Sequence, residues 1–143
     1  MMIQLTADEL RSMSLFESLT GAIAKDCVLL GDKVVFIVSK GTLGKAIGKG
    51  GANINRVRTA FKNKRVVVVE DAETVEEFIK NLFPNTEILD INIHERSDGK
   101  MAYVTVRSED RGLVIGRDGD KIKTNRQVLV RRFGCEMKIM SRG

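Results

Sequence analysis

A gap-free internal repeat constrains the fold of this chain more than any other feature of its 143 residues. The segment Ile47-Gly48-Lys49-Gly50-Gly51 aligns with Ile115-Gly116-Arg117-Asp118-Gly119 at an offset of 68 residues (116 − 48). Glycine falls on glycine and apolar residue on apolar residue, so the sequence predicts two copies of one structural unit. The same offset pairs Val38 with Val106, Gly44 with Gly112, Ile54 with Ile122 and Arg58 with Arg126.

The first copy shows the periodicities of three helices and three strands. Thr6 is a candidate N-cap of the first helix, and Gly21 is the candidate residue that ends it. Gly31-Asp32 between two β-branched runs predicts a hairpin, and the four valines of the last strand indicate burial on both faces. The predicted elements are helices over 7–19, 42–47 and 52–61 and strands over 27–30, 34–38 and 65–70.

The second copy repeats this order of elements. Pro84 is predicted to end its first helix, and Asp98-Gly99 is predicted to form the hairpin turn. The sequence therefore predicts an α+β protein of two units, residues 1–70 and 71–143, each with the order α-β-β-α-α-β. The predicted elements of the second copy are helices over 72–83, up to 115 and over 120–132, and strands over 88–94, 101–106 and 135–140.

Two groups of side chains are predicted to be buried. The two cysteines, Cys27 and Cys135, lie in apolar runs without CxxC spacing, and His94 is the one histidine that could join them. Burial of both thiols is favoured over a disulfide or a metal site, so no metal is expected. Helical spacing assigns a second group to the core against the sheet: Val57, Ala60, Phe61, Val128 and Leu129.

The charge is distributed in blocks, although the net charge is only +5. Nine basic residues and no acid lie between Lys33 and Val69. Residues 70–98 are mostly acidic, and residues 111–132 are basic again except for Asp118 and Asp120. Such blocks beside glycine-rich loops favour a polyanionic partner over a merely solvated surface.

The glycine loops have the chemistry of a phosphate site. A Gly-x-x-Gly break between two helices leaves the first amides of the second helix pointing into the gap, where they attract anions. Lys49 and Arg117 occupy the first variable position of the two loops. Four isoleucines could floor a groove for unstacked bases: Ile47, Ile54, Ile115 and Ile122. Four further candidates on the following helices either lie near this groove or are merely solvated: Arg56, Arg58, Lys123 and Arg126.

An Ile-Gly-x-x-Gly loop between two helices of a three-stranded α/β unit resembles the signature of KH domains. The helix-first order resembles the type II arrangement, with the helices packed on one face of the sheet. Two such units in tandem look like the archaeal relatives of the transcription factor NusA, whose KH pair binds RNA and is linked to transcription termination and antitermination.

This resemblance implies single-stranded RNA as a partner and RNA polymerase or other transcription machinery as a further one. It implies that each loop clamps about four nucleotides through its backbone. The clamps would be Gly48, Lys49, Gly50 and Gly51 in the first unit, and Gly116, Arg117, Asp118 and Gly119 in the second. The second loop departs from the pattern because Asp118 and Asp120 oppose an anionic ligand.

Other classes of function compete with RNA binding. A P-loop needs a glycine where Leu43 stands, and neither loop has dinucleotide-binding spacing, so no enzyme, cofactor or small-molecule substrate is expected. His94 is interpreted as a partly exposed structural residue and not as a general base. A degenerate KH pair that docks proteins in a transcription or ribosome-related complex is the main alternative. Double-stranded DNA is another, since basic charge does not select its polymer.

The sequence also predicts that this chain has no membrane partner. No uninterrupted apolar run approaches the roughly 20 residues of a transmembrane helix. The first residues, MMIQLTADEL, lack the basic start and apolar block of a signal peptide. A cytoplasmic location is therefore expected.

Overall fold

The structure, a computed structural model, describes residues 5–143 and divides into two compact units between Ala72 and Glu73. None of the helices within this range is both long and apolar enough to cross a membrane. The first unit contains α1 (Ala7–Thr20), β1 (Ala24–Leu30), β2 (Lys33–Val38), α2 (Leu43–Ile47), a 3₁₀ turn (Lys49–Gly51), α3 (Ala52–Ala60) and β3 (Arg65–Glu70).

The first unit is built on a sheet with strand order β1-β2-β3. β1 and β2 form the predicted antiparallel hairpin, and β3 returns parallel to β2. β2 is the central strand and is buried along its whole length. On one face of the sheet Phe36 stacks on Phe16 of α1, with ring centroids 4.2 Å apart, and meets the edge of Phe61 at 5.5 Å. The core therefore lies between this face and the helices.

The ends of α1 are where the sequence places them. The Thr6 hydroxyl accepts from the Glu9 amide, and the Glu9 carboxylate accepts from the Thr6 amide, each at 3.1 Å. This reciprocal pair satisfies two amides that a helix start otherwise leaves without partners. Gly21 ends the helix in the left-handed conformation, with φ of 76°.

The second unit repeats this topology with its own sheet, in the order β4-β5-β6. β4 and β5 are antiparallel, and β6 returns parallel to β5. The shared element order confirms the α+β class and the two-fold KH-type architecture. Its elements are α4 (Val75–Leu82), β4 (Asp90–Arg96), β5 (Gly99–Arg107), α5 (Arg111–Ile115), α6 (Asp120–Phe133) and β6 (Cys135–Arg142).

The helices α4 and α6 pack together over the second core. Phe78 of α4 meets the edge of Phe133 of α6, with ring centroids 5.4 Å apart. The buried Asn125 side chain donates to the Leu82 carbonyl, 3.4 Å away, at the end of α4. Buried side chains of β5, among them Ala102 and Val104, complete this core.

Two burial predictions in the first unit were wrong. β3 is not buried on both faces: among the described residues it pairs with β2 alone, and of its valines Val69 is buried while the other three are partly exposed. The fully buried strand is β2, because it has a neighbour on each side. Ala60 is exposed in the last turn of α3, although it lies one turn from the buried Val57.

The observed bounds differ from the prediction at the start of β1, which begins three residues earlier than predicted, and at the start of the second unit. Thr74, not a residue near Ala72, caps α4, and its hydroxyl accepts from the Glu77 amide at 3.2 Å. The Asp71 amide donates to the Val38 carbonyl at 2.8 Å, which ties Asp71 to the end of β2. The division observed after Ala72 thus lies two residues beyond the predicted boundary after residue 70. β4 also begins two residues later than predicted.

Candidate nucleic-acid interface

The first glycine loop connects α2 to α3 through a single 3₁₀ turn. The Gly48 amide donates to the Gly44 carbonyl at 2.8 Å, and the Gly51 amide donates to the Gly48 carbonyl at 3.1 Å. Between these bonds the backbone turns through positive φ at Gly48 (75°), Gly50 (62°) and Gly51 (78°). α3 therefore begins directly after this turn, and its N-terminal end faces the break between α2 and α3.

The second loop reproduces this conformation, with φ values within 8° at the three equivalent positions. Gly116 has φ of 77° and Gly119 has φ of 73°, and the Gly119 amide donates to the Gly116 carbonyl at 3.2 Å. The counterpart of Gly50 is Asp118, at φ of 54°, where a side chain is rarely tolerated. The sequence repeat is therefore a repeat of backbone geometry.

Each loop begins with a glycine that has no room for a side chain. A Cβ at Gly48 would lie 2.8 Å from Cγ and 2.9 Å from the backbone N of Asn53. A Cβ at Gly116 would lie 2.6 Å from Cβ of Lys121. The ψ values near 170° and 176° complete a conformation that is essentially restricted to glycine. These two glycines thus allow the loop to close against the first turn of the next helix.

The loop cations are available to a ligand. Lys49 and Arg117 are exposed, and within residues 5–143 neither forms an ion pair. The amides of Lys49 and Gly50 likewise receive no acceptor from the described part of the chain. Unpaired amides beside an unpaired ammonium group are suited to a phosphate oxygen, which accepts from both.

Asn53 supports the first loop, although nothing in its sequence context marked it as a functional residue. Its Nδ2 donates to the Lys45 carbonyl of α2 at 2.7 Å and to the Thr20 carbonyl of α1 at 3.3 Å, while its Oδ1 accepts from Arg56 at 3.1 Å. One amide side chain thus joins three helices behind the loop. The repeat places Lys121 at the equivalent position, so this tie belongs to the first unit only.

The four predicted groove isoleucines have two different environments. Ile54 and Ile122 are buried, at 8% and 4% exposure, and Ile54 belongs to the first core. Ile47 is 42% exposed, and Ile115 is partly exposed. Ile47 and Ile115 therefore offer the apolar surface next to each loop, while Ile54 and Ile122 fix the first turn of α3 and α6 from below.

The four predicted cations on α3 and α6 are exposed but differ in their contacts. Arg56 and Arg58 donate to Asn53 and Asn55, one turn earlier on α3. Arg126 donates from Nε to the Met137 carbonyl of β6 at 3.0 Å, which holds it against the strand. Lys123 forms no ion pair within residues 5–143. The structure therefore leaves Lys123 freest and Arg126 most constrained.

The cysteines and the histidine lie apart from the loops. Both thiols are buried, as predicted, and burial raises the pKa of the Cys135 thiol, which is therefore protonated near neutral pH. His94 is exposed on β4 and meets the edge of Tyr103 at 5.1 Å. Across the described ranges no group of three or more histidine, cysteine and acidic residues is placed to hold a metal ion.

Comparison with known proteins gives one family model and a set of relatives. The KH domain family model matches residues 11–75. Proteins described as "Probable transcription termination protein NusA" are 38% identical in Halococcus morrhuae and 35% in Halobacterium salinarum, over 95% of this chain and 96% of each relative. The crystal structure of APE1850 is 38% identical with a TM-score of 0.84, covering 96% of this chain and all of that one.

Proposed function

Because the chain belongs to the archaeal NusA-like family of KH-domain proteins, we propose that it binds single-stranded RNA and acts as a transcription termination factor. Each glycine loop clamps the sugar-phosphate backbone through its amides and its cation, Lys49 or Arg117. The protein works by binding and carries out no reaction of its own. Such a factor acts on nascent transcripts in the cytoplasm, in contact with the transcription machinery.

One observation carries this proposal: two loops of different sequence share one backbone conformation. The loops retain φ values within about 10° of each other at all three positive-φ positions, even where Asp118 replaces a glycine. An aspartate in this region is strained, and strain of this kind is characteristic of functional sites. A geometry held in both copies despite that cost supports a common ligand for both loops.

The first loop is proposed to supply most of the affinity. Lys49 stands with no acid in its loop, whereas Arg117 is followed by Asp118 and Asp120. A carboxylate near a bound phosphate repels it, by about 1 kcal/mol at 4 Å in water. Comparing Gly50→Asp with Arg117→Asp tests this asymmetry, because equal losses of affinity contradict it.

The main experiment is a fluorescence anisotropy titration with labelled single-stranded RNA, matched single-stranded DNA and duplex RNA. We expect single-stranded RNA to bind most tightly, because its bases are free to unstack into a narrow groove. The double variant Lys49→Asp/Arg117→Asp should abolish this binding. A matched double variant, Lys62→Asp/Lys80→Asp, changes the net charge equally but at exposed positions outside both loops, and should retain most of it.

Two results would contradict the proposal. Equal binding to all three nucleic acids would show that the interaction is nonspecific electrostatic attraction to phosphates. If the unaltered protein binds none of the three nucleic acids, although circular dichroism shows that it is folded, the result would favour the alternative in which the KH pair docks other proteins. Pull-down with purified RNA polymerase would then separate a transcription partner from the remaining candidates.

A further inference from the structure

One face of the second sheet carries side chains that are exposed along β4 and β6. Along β5 the side chains of Ala102, Val104 and Val106 are buried in the core, so Tyr103 and Thr105 lie on the opposite face. The strand register places Lys138 of β6 opposite Tyr103 on this face. We call this surface the open sheet face and define it by six residues: His94, Arg96, Tyr103, Thr105, Lys138 and Arg142.

Within residues 5–72, the corresponding face of the first sheet is aliphatic and buried along β2. The repeat aligns Tyr103 with Val35 and Thr105 with Ile37, and both of these aliphatic residues are fully buried. It also aligns the cation Lys138 with the acid Glu70. The two sheets are therefore alike in topology but opposite in the chemistry of this face.

Two rings form the centre of the open sheet face. His94 and Tyr103 meet edge to face, with centroids 5.1 Å apart and planes at 74°. The Tyr103 hydroxyl accepts from Nη2 of Arg96 at 3.1 Å, which fixes the ring on the surface. These are the one tyrosine and the one histidine of the chain, and it has no tryptophan. An aromatic pair kept at a solvated sheet surface is suited to stacking against a planar ligand.

Cations border these rings. Lys138 and Arg142 lie on β6, both exposed, and within residues 5–143 neither forms an ion pair. Arg107, the register neighbour of Arg142, is instead held by Glu87, with 2.7 Å between Nη2 and the carboxylate oxygen. The same side of the sheet also carries two acids, Asp90 and Glu136. Lys138 and Arg142 balance these two negative charges, and Arg96 adds one further positive charge. Electrostatic attraction is thus modest and stacking carries the selectivity.

We propose that the open sheet face is a second contact surface for single-stranded RNA, separate from the two glycine loops. Bases stack on Tyr103 and His94, and phosphates lie against Lys138 and Arg142. Only an unpaired strand fits this chemistry, since the faces of bases inside a duplex are already covered. The choice of ligand rests on the RNA-binding function proposed above, while the surface itself is argued independently of the loops.

The single tyrosine and single histidine make this proposal directly measurable in the full chain. Intrinsic emission arises from Tyr103 alone, and the imidazole proton resonances in NMR arise from His94 alone. At RNA concentrations that saturate the anisotropy signal, we expect quenching of Tyr103 and shifts of the His94 resonances. Duplex RNA at equal absorbance is the control for light absorption by the nucleic acid and should cause neither change.

Variants test whether the contact contributes affinity. Tyr103→Ala should weaken RNA binding about five-fold, the lower end of the loss of one base–aromatic stack. Lys138→Glu should also weaken it, because it replaces a cation with an acid beside the proposed phosphate contact. Tyr103→Phe keeps the ring and should bind as the unaltered protein does. Lys80→Glu makes the same charge change on α4, on the helical side of the sheet, and should have little effect.

The outcomes separate this proposal from the previous one. If RNA raises the anisotropy but leaves Tyr103 emission and the His94 resonances unchanged, the open sheet face is not a contact surface, although RNA binding stands. If no RNA raises the anisotropy, both proposals fail. If Tyr103→Phe weakens binding as strongly as Tyr103→Ala, stacking is not the interaction.

Discussion

Gly48 and Gly116 are required by packing as well as by backbone conformation. Gly48→Ala would place a methyl group 2.9 Å from the backbone N of Asn53, a contact that cannot relax as a flexible side chain would. Because Gly48 also has a positive φ, we expect Gly48→Ala to lower the free energy of unfolding by about 1–3 kcal/mol. Urea denaturation followed by circular dichroism measures it.

The control for that substitution is one turn earlier on the same helix. A methyl group at Gly44 would meet no atom within 4 Å, so Gly44→Ala should be neutral or stabilising, by up to about 1 kcal/mol. Equal destabilisation by Gly44→Ala and Gly48→Ala would show that α2 resists any substitution, and would remove the special role of the loop glycine.

Asp118 combines two unfavourable features that substitution separates. Asp118→Gly removes both the side chain and the charge, whereas Asp118→Asn removes the charge and keeps a side chain that adopts left-handed backbone as aspartate does. We expect both variants to tighten RNA binding several-fold, since the carboxylate repels phosphate in the unaltered loop. Anisotropy titrations measure the change.

Asp98→Asn serves as the comparison for Asp118, because it removes one negative charge from an exposed turn in the same unit. An identical gain in affinity from Asp98→Asn would attribute the effect to net charge. An unchanged affinity for Asp118→Asn would place the carboxylate away from the phosphate path.

At the scale of elements, Asn53 is the residue on which the arrangement of α1, α2 and α3 depends. Asn53→Ala removes the bonds to the Lys45 and Thr20 carbonyls, at 2.7 and 3.3 Å, and should lower the free energy of unfolding by about 1–2 kcal/mol. It should also weaken RNA binding, because α2 and α3 are then free to shift across the loop. Thermal unfolding and anisotropy measure the two effects.

Asn55→Ala is a matched change on the same helix, since Asn55 is exposed and contacts Arg58 instead of another helix. The two variants should differ clearly in RNA affinity. If Asn53→Ala is destabilised but binds RNA with unchanged affinity, the residue supports the fold without shaping the loop.

Most elements were predictable from the sequence because their signals are local. Thr6 and Gly21 delimit α1 by capping chemistry, and Gly31-Asp32 marks the hairpin. The exposure of β3 was not predictable, since four valines look alike in a central and an edge strand, and strand order depends on distant pairing. The start of α4 was misplaced because Ala72 fits a helical pattern, while Thr74 supplies the cap.

The two glycine loops were predictable from the sequence but their support was not, and the role of the loop cations stays a prediction. The repeat identified the loops, and the structure gives them the same geometry. A single sequence does not identify Asn53 as a support of the loop, because an asparagine in a polar helix resembles any solvated residue. The open sheet face was hidden for a related reason: Tyr103 and Lys138 are 35 residues apart and become neighbours only through the parallel pairing of β5 and β6.

At the scale of the whole molecule, the charge distribution predicts how RNA binding responds to salt. The logarithm of the binding constant should fall linearly with the logarithm of salt concentration, by about 0.7 per phosphate neutralised on a single strand. Lys49→Ala should therefore reduce the slope by about 0.7, whereas Lys62→Ala in the turn after α3 should leave it unchanged. Titrations over a salt series measure both slopes, and equal slopes would mean that Lys49 contacts no phosphate.

The parallel return of β3 onto β2 has a consequence for how the protein is made. Every strand of the first sheet belongs to residues 24–70, so that sheet needs no residue from the second unit to complete its hydrogen bonds. A ribosome that has released about 72 residues has released a whole unit. Domains of this kind fold as units during synthesis, amino-terminal first. The first glycine loop can therefore be in its native conformation while the second is still being translated.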